Sequence, residues 1–230
     1  ATFSVQTACG GGGGGGDSTS PVLTTVTPVS SPTNDTTPDF VFNSDEAGTI
    51  TYSGGCHAGT TSAVGGQQTI TFDPLSDGTY SNCSITVTDA SNNPATLSVN
   101  SFVVDATAPT VNFSMASSGT SLTNAITLSA TDTTTQVTGY KITQTNTPPS
   151  VGASWSGSAP TQYTFSSYGS HTLYAWAKDT AGNISSGVSR TIVLTEPVNQ
   201  NDQDTPPSTG GGGSSSGGAD RATPSMTAEP

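Results

Sequence analysis

An alternating strand that ends in a polar turn occurs twice in this chain. The second copy spans residues 172–183 (TLYAWAKDTAGN) and the first spans residues 84–93 (SITVTDASNN). Alternation with period two, followed by Asp, Gly and Asn, is typical of a half-buried antiparallel strand that enters a hairpin. Asp89 and Asp179 occupy matching places 90 residues apart (179 − 89). A repeat of this length fits a β-sandwich module of roughly 100 residues.

Two such modules fit in 230 residues, because a domain usually takes on the order of 100–150 residues. Only 30% of the residues are hydrophobic and 9% are charged, a mix too polar for long helices but rich in β-branched Thr and Val. No window places apolar residues at i, i+3, i+4 and i+7. We therefore predict an all-β fold with two tandem antiparallel sandwiches.

Changes in composition predict four segments. Residues 1–20 contain seven consecutive glycines and are expected to form a flexible tether. Residues 21–106 are the first module, residues 107–195 the second, and residues 196–230 a disordered low-complexity tail or linker. The modules are joined by residues 105–109, which are too few to behave as a free coil and end in a stiffening Pro109. We expect a semi-rigid two-module rod.

Strand signals separated by Gly, Asn, Asp and Pro turns occur throughout both modules. The predicted strands are 39–43, 49–53, 68–72, 82–88 and 96–100 in the first module and 111–115, 125–130, 138–143, 162–165, 171–177 and 189–194 in the second. Cys83, Ile85 and Val87 share one phase and are predicted to face the core. The phase slips at Asn100, where we expect a β-bulge.

Net charge restricts the partners. The formal net charge is −12, with only four Lys and Arg residues, so the surface repels phosphate backbones and anionic lipid headgroups. We predict no nucleic-acid binding and a monomer. No run of about 18 apolar residues exists to span a membrane.

Four stretches resemble the bacterial Ig-like repeats of large secreted and cell-surface proteins: residues 45–52 (DEAGTITY), 75–80 (LSDGTY), 85–89 (ITVTD) and 172–183. The resemblance covers about residues 21–195, with Ser-Asn-Asn at 91–93 in place of the usual Ala-Gly-Asn. It implies a non-catalytic structural spacer or stalk in an extracellular or surface-anchored protein. The alternative is an adhesive or carbohydrate-binding module, with an unknown surface or carbohydrate ligand, because such repeats serve both roles.

The three cysteines carry two separate predictions. Cys56 and Cys83 are 27 residues apart (83 − 56), and a disulfide between them would contribute roughly 3–4 kcal/mol; the alternative is two buried thiols in a reducing compartment. Cys9 follows Thr-Ala and precedes the glycines, which resembles the lipidation site of bacterial lipoproteins, although Gln6 replaces the usual Leu. A lipid at Cys9 would be the only membrane contact, and the alternative is a free thiol.

The remaining candidate sites are carboxylates and aromatic residues. Asp89, Asp105 and Asp179 lie near predicted module ends and are candidate Ca²⁺ ligands; otherwise these residues only cap their turns. No other cofactor is expected.

Tyr174 and Trp176 would form an exposed sugar- or protein-binding pair if their strand keeps the phase of Cys83. Otherwise they are core residues, or neighbouring loops around Trp155 cover them. The two histidines, His57 and His171, match no catalytic or metal spacing, so we predict that the chain is not an enzyme.

Overall fold

The structure, a computed structural model, describes residues 16–198 and consists of β-strands, turns and loops in that range. The predicted all-β fold is confirmed. In the described part of the chain, no helix has the length and hydropathy needed to cross a membrane.

The first sandwich is built from short strands. They are β1 (Leu23–Thr27), β2 (Asp39–Ser44), β3 (Gly48–Ser53), β4 (Ser62–Ala63), β5 (Gly66–Thr71), β6 (Gly78–Tyr80), β7 (Ser84–Thr88), β8 (Pro94–Ser98) and β9 (Phe102–Val104). One antiparallel sheet has the order β1-β2-β5, and the facing sheet has the order β4-β3-β7-β8. A separate antiparallel pair joins β6 and β9.

The second sandwich contains longer strands. They are β10 (Thr110–Met115), β11 (Ser118–Gly119), β12 (Thr123–Thr131), β13 (Val137–Thr143), β14 (Gln162–Thr164), β15 (Gly169–Asp179) and β16 (Val188–Leu194). Its sheets have the orders β10-β12-β14 and β11-β16-β15-β13. All neighbours are antiparallel except β11, which runs parallel to β16.

Alternating side chains build the core of the first sandwich. Phe40 and Phe42 on β2 are buried, and they are separated by the half-exposed Val41. On β7, Ile85 and Val87 continue the buried face that Cys83 begins, as the phase predicts. Each such side chain contributes roughly 1.5–3 kcal/mol when removed from water.

The predicted change of phase near Asn100 is a break between two strands rather than a bulge within one. β8 pairs with β7 and ends at Ser98, whereas β9 begins at Phe102 and pairs with β6. In the gap, Asn100 Nδ2 donates to the Val29 carbonyl at 3.0 Å, and Asn100 Oδ1 accepts from the Val29 amide at 3.0 Å. The side-chain amide thus replaces ladder bonds that the backbone gives up.

The second core follows the same principle. Leu173, Ala175 and Ala177 on β15 are fully buried and pack with Phe113 and Leu128 from the opposite sheet.

Residues 105–109, here called the linker, connect β9 to β10. Both cores lie in the part of the chain that precedes Pro197.

Candidate functional site

Acidic side chains gather in two clusters, each next to the segment that leads into a sandwich. The junction cluster consists of Asp105, Asp132 and Asp179, and the N-terminal cluster consists of Asp17, Glu46 and Asp89. Within each cluster, one carboxylate oxygen from every residue lies within 4.8 Å of the others. The structure therefore divides the predicted calcium ligands, since Asp105 and Asp179 share a cluster and Asp89 lies in the other.

The turn after β15 is organised by the Asp179 carboxylate. Its Oδ1 accepts from the amides of Gly182 at 2.7 Å and Asn183 at 2.8 Å, and its Oδ2 accepts from Asn183 Nδ2 at 2.8 Å. Gly182 has a φ of 98°, a left-handed conformation that glycine adopts without a Cβ penalty. In the sequence Asp-Thr-Ala-Gly-Asn, the Asp accepts the hydrogen bonds of the turn, the Gly adopts the left-handed conformation and the Asn donates to the Asp.

The turn after β7 makes corresponding bonds from a different sequence. Asp89 Oδ1 accepts from the Ser91 and Asn93 amides, each at 2.8 Å, and Asp89 Oδ2 accepts from Asn93 Nδ2 at 2.8 Å. Asn92 takes the left-handed place of the glycine, with a φ of 68°. Asn tolerates that conformation better than other non-glycine residues, so the departure from Ala-Gly-Asn preserves the turn.

Each turn also holds the segment that enters its sandwich. Asn183 Nδ2 donates to the Asp105 carbonyl at 2.7 Å, and Asn93 Nδ2 donates to the Asp17 carbonyl at 3.0 Å. We call this arrangement the asparagine clasp. Since each Nδ2 binds both the turn carboxylate and the entering backbone, the clasp joins the hairpin to the chain that precedes the sandwich.

The junction cluster is the more deeply buried of the two. Asp105 is 0% exposed and Asp179 is 1% exposed. Burial raises the pKa of Asp105, and the neighbouring Asp132 and Asp179 raise it further, while hydrogen bonds from Thr135 and Thr107 oppose the shift. By contrast, the Asn93 amide and side chain hold the pKa of Asp89 below its usual value. The junction cluster thus concentrates negative charge in a dehydrated place.

The junction cluster has the donor set of a hard-cation site. Calcium is bound by oxygen atoms at 2.3–2.6 Å, so two ligands of one ion are at most about 5 Å apart, which suits the 4.8 Å limit of this cluster. Asp132 Oδ2 is buried and has no hydrogen-bond partner in the part of the chain that the structure describes, although buried polar atoms are normally satisfied. A bound cation would satisfy this oxygen and offset the repulsion among the three carboxylates.

The predicted aromatic binding pair is not a surface platform. Trp176 is 1% exposed, its Nε1 donates to Thr143 Oγ1 at 2.8 Å, and its ring packs so closely on Gly187 that an added Cβ would lie 2.7 Å from Cη2. Tyr174 is half-buried. Trp176 does keep the predicted phase, opposite Leu173, but neighbouring loops cover it, so Trp176 cannot stack on a sugar.

Trp155 is half-buried and packs against two neighbouring residues. One side of its indole lies on Gly139, where an added Cβ would come within 2.9 Å of the Trp155 Cβ. Lys178 Nζ stands 5.6 Å from the ring centroid, at cation–π distance. This tryptophan is therefore part of the packing on the outer surface of β13.

The predicted Cys56–Cys83 disulfide is confirmed, with a Cα–Cα separation of 5.5 Å. Both cysteines are buried in the first core. Cys9, the candidate lipidation site, lies outside the described residues.

Several residues of these sites were not predicted to act together. Asp17 and Asp105 are 88 residues apart (105 − 17), and Glu46 and Asp132 are 86 apart (132 − 46). Both separations are close to the 90-residue repeat. A search for other acidic residues that recur after about 90 residues, as Asp89 and Asp179 do, would have pointed to the members of both clusters. Only the fold brings those members together in space.

The comparisons with known proteins identify no family for this chain. No family model and no curated protein matches it. Among solved structures, it is similar to the fibronectin(III)-like modules of Clostridium thermocellum CbhA, with 17% sequence identity and a TM-score of 0.40, over 76% of this chain and 95% of that one.

Proposed function

We propose that the chain is a non-catalytic tandem Ig-like spacer or stalk of a bacterial secreted or surface-anchored protein. The observation that carries this proposal is the linker, whose residue Asp105 bonds to both sandwiches. Its amide donates to the Thr33 carbonyl in the first sandwich at 2.9 Å, and its own carbonyl accepts from Asn183 in the second at 2.7 Å. A spacer needs a joint that transmits orientation from one module to the next.

Small-angle X-ray scattering on residues 16–198 tests the spacer. We expect an extended particle whose scattering fits one fixed arrangement of the two sandwiches. A compact globular profile, or one that requires two independently tumbling bodies, would contradict the proposal. Asn183→Ala is the informative variant, because a joint that depends on the clasp becomes more variable when the clasp is removed.

We also propose that the junction cluster binds Ca²⁺ and thereby stiffens the joint. Asp105, Asp132 and Asp179 would supply carboxylate oxygens. Two observations support this: Asp105 and Asp179 are buried, and the buried Asp132 Oδ2 has no hydrogen-bond partner among residues 16–198. Calcium should raise the thermal midpoint of the chain, and EDTA should reverse the increase. Asp132→Asn should remove the response, while Asp39→Asn, an exposed control bonded only to Thr71, should retain it. A midpoint that neither calcium nor EDTA moves would exclude the site.

An extracellular or cell-surface location is part of this proposal. A disulfide is typical of oxidising compartments, and the net charge of −12 disfavours nucleic acid as a partner. Lipidation of Cys9 would anchor the protein to a bacterial membrane, and the intact mass of protein isolated from its host tests for the added diacylglycerol. We propose a monomer, to be checked by sedimentation equilibrium.

We propose no catalytic role for His171. His171 Nε2 lies 2.8 Å from the Ser167 carbonyl and its ring packs on Phe165, which is a structural role. The adhesive or carbohydrate-binding alternative would use either loop tips or the face of Tyr174 and Trp176, and the burial of Trp176 argues against that face.

A further inference from the structure

A carboxylate of the first sandwich is directed at the linker. Asp77 lies in the loop between β5 and β6, and its Oδ1 accepts from the Ala106 amide at 2.8 Å. Its Oδ2 accepts from the Thr107 hydroxyl. Thus both side-chain oxygens of Asp77 hold residues that immediately precede the second sandwich.

The second sandwich binds the neighbouring part of the same segment. Thr135 Oγ1 donates to Asp105 Oδ2 at 2.5 Å, and Asn183 Nδ2 donates to the Asp105 carbonyl at 2.7 Å. The linker is therefore held from one side by Asp77 and from the other by Thr135 and Asn183.

We propose that Asp77 couples the stability of the second sandwich to the folding of the first. Fixing a backbone segment has an entropic cost, and a linker already ordered by Asp77 presents Asp105 to Thr135 and Asn183 with less of that cost remaining. Asp77 is thus a positioning residue that acts across the joint. This inference deepens the proposed spacer function, because coupled modules resist independent motion.

The ionisation of Asp77 agrees with this geometry. The Ala106 amide, followed by the Thr107 hydroxyl, lowers the pKa of Asp77, so the carboxylate is charged when it holds the linker at neutral pH. Hydrogen bonds to a charged group are stronger than those between neutral groups.

The two tryptophans make the proposal measurable. Trp155 and Trp176 both belong to the second sandwich, so tryptophan fluorescence follows the unfolding of that sandwich alone. A substitution in the first sandwich that shifts this signal must act across the joint. Asp77→Ala removes both bonds to the linker.

Asp45→Ala is the matched control. Asp45 is also an exposed carboxylate of the first sandwich, and its Oδ1 accepts a backbone N–H, from Val22 at 2.6 Å. That bond stays within the first sandwich and its entering segment. The two variants therefore remove a comparable surface cap, and only one of the caps reaches the linker.

The experiment is urea unfolding of the full 230-residue chain followed by tryptophan fluorescence. With Asp77→Ala, we expect a lower midpoint and an unfolding constant of the second sandwich that is about tenfold larger, as charged hydrogen bonds at an exposed site imply. Asp77→Asn, which keeps one acceptor, should give an intermediate shift. Asp45→Ala should leave the tryptophan midpoint in place.

Hydrogen exchange in the first sandwich completes the test. Protection of the β7 amides should persist in Asp77→Ala, which would show that the first sandwich remains folded. An unchanged tryptophan midpoint in Asp77→Ala, or equal shifts in Asp77→Ala and Asp45→Ala, would overturn the coupling. Scattering from the wild-type chain tests the spacer separately, so failure of either idea is distinguishable from failure of the other.

Discussion

The asparagine clasps provide an internal comparison, because the same substitution can be made at matching places in different environments. Asn183→Ala removes two hydrogen bonds, to the Asp105 carbonyl and to Asp179 Oδ2. Both acceptor residues are almost completely buried, at 0% and 1% exposed. Water therefore cannot readily replace the lost donor.

The expected loss for Asn183→Ala is about 3 kcal/mol. A hydrogen bond to a charged group contributes roughly 1.5–3 kcal/mol, and a buried acceptor left unpaired costs about 1–3 kcal/mol. The two effects share one side chain, so they do not add fully. Asn93→Ala breaks the corresponding bonds to Asp89, which is 8% exposed, and to the exposed Asp17. Water can replace the lost donor more readily at Asp17, so Asn93→Ala should lose less stability than Asn183→Ala.

Urea unfolding is the assay, with tryptophan fluorescence for Asn183→Ala and amide exchange on β7 for Asn93→Ala. Asn183→Asp is a useful companion variant, because it keeps the size of the side chain but replaces the Nδ2 donor with a carboxylate oxygen. That oxygen would face the Asp105 carbonyl and Asp179 Oδ2, so the variant should be at least as destabilising as Asn183→Ala at neutral pH. Equal losses at Asn183 and Asn93 would refute the argument that burial sets the strength of the clasp.

Three further predictions concern packing, covalent structure and pH. Gly187→Ala should cost about 1–3 kcal/mol through overpacking against Trp176, whereas Gly157→Ala, with nothing within 4 Å of the added Cβ, should be nearly neutral in the same thermal melt. Reducing the disulfide should destabilise the first sandwich by about 3–4 kcal/mol, since it closes a 27-residue separation; a urea midpoint that is the same with and without reductant would contradict this. Burial raises the pKa of Asp105 in the folded protein above its value in the unfolded chain, which is near 3.8. The protonated Asp105 carboxyl therefore contributes to the stability of the fold below that pH, and this contribution is lost as the pH rises through the pKa of the folded state. Asp105→Asn should therefore gain stability relative to wild type as the pH rises above about 4. A pH-independent difference between the two proteins would show that this carboxyl does not titrate differently on folding.

Local pattern was sufficient to predict where the strands lie. Every strand predicted from alternation begins and ends within two residues of the observed strand, because one buried face imposes a period of two on the sequence. β1 was not predicted, since four of its five residues are exposed and its burial does not alternate. β4 and β11 have two residues each, which is too short for a periodic signal.

The fate of Trp176 could not be predicted from the same pattern. Alternation correctly placed it opposite Leu173, Ala175 and Ala177, but a period of two says only which face a side chain takes. Whether that face meets water depends on which loops pack over it, here the one that brings Gly187 against the ring. The burial of Trp176 therefore agrees with the alternative in which loops cover this face.

The turn chemistry shows where the sequence is sufficient and where the tertiary structure decides. Asp179 and Asn183 are four residues apart, so their capping bonds are local, and the sequence alone determines them, as it determines the all-β fold through alternation. The grouping of Asp105 with Asp132 and Asp179, and the reach of Asp77 to Ala106 and Thr107, join residues 27 to 74 positions apart (132 − 105 and 179 − 105). Such contacts depend on how the sheets pack and where the linker leaves the first sandwich, because desolvation and hydrogen bonding act over a few ångströms in space and not along the chain.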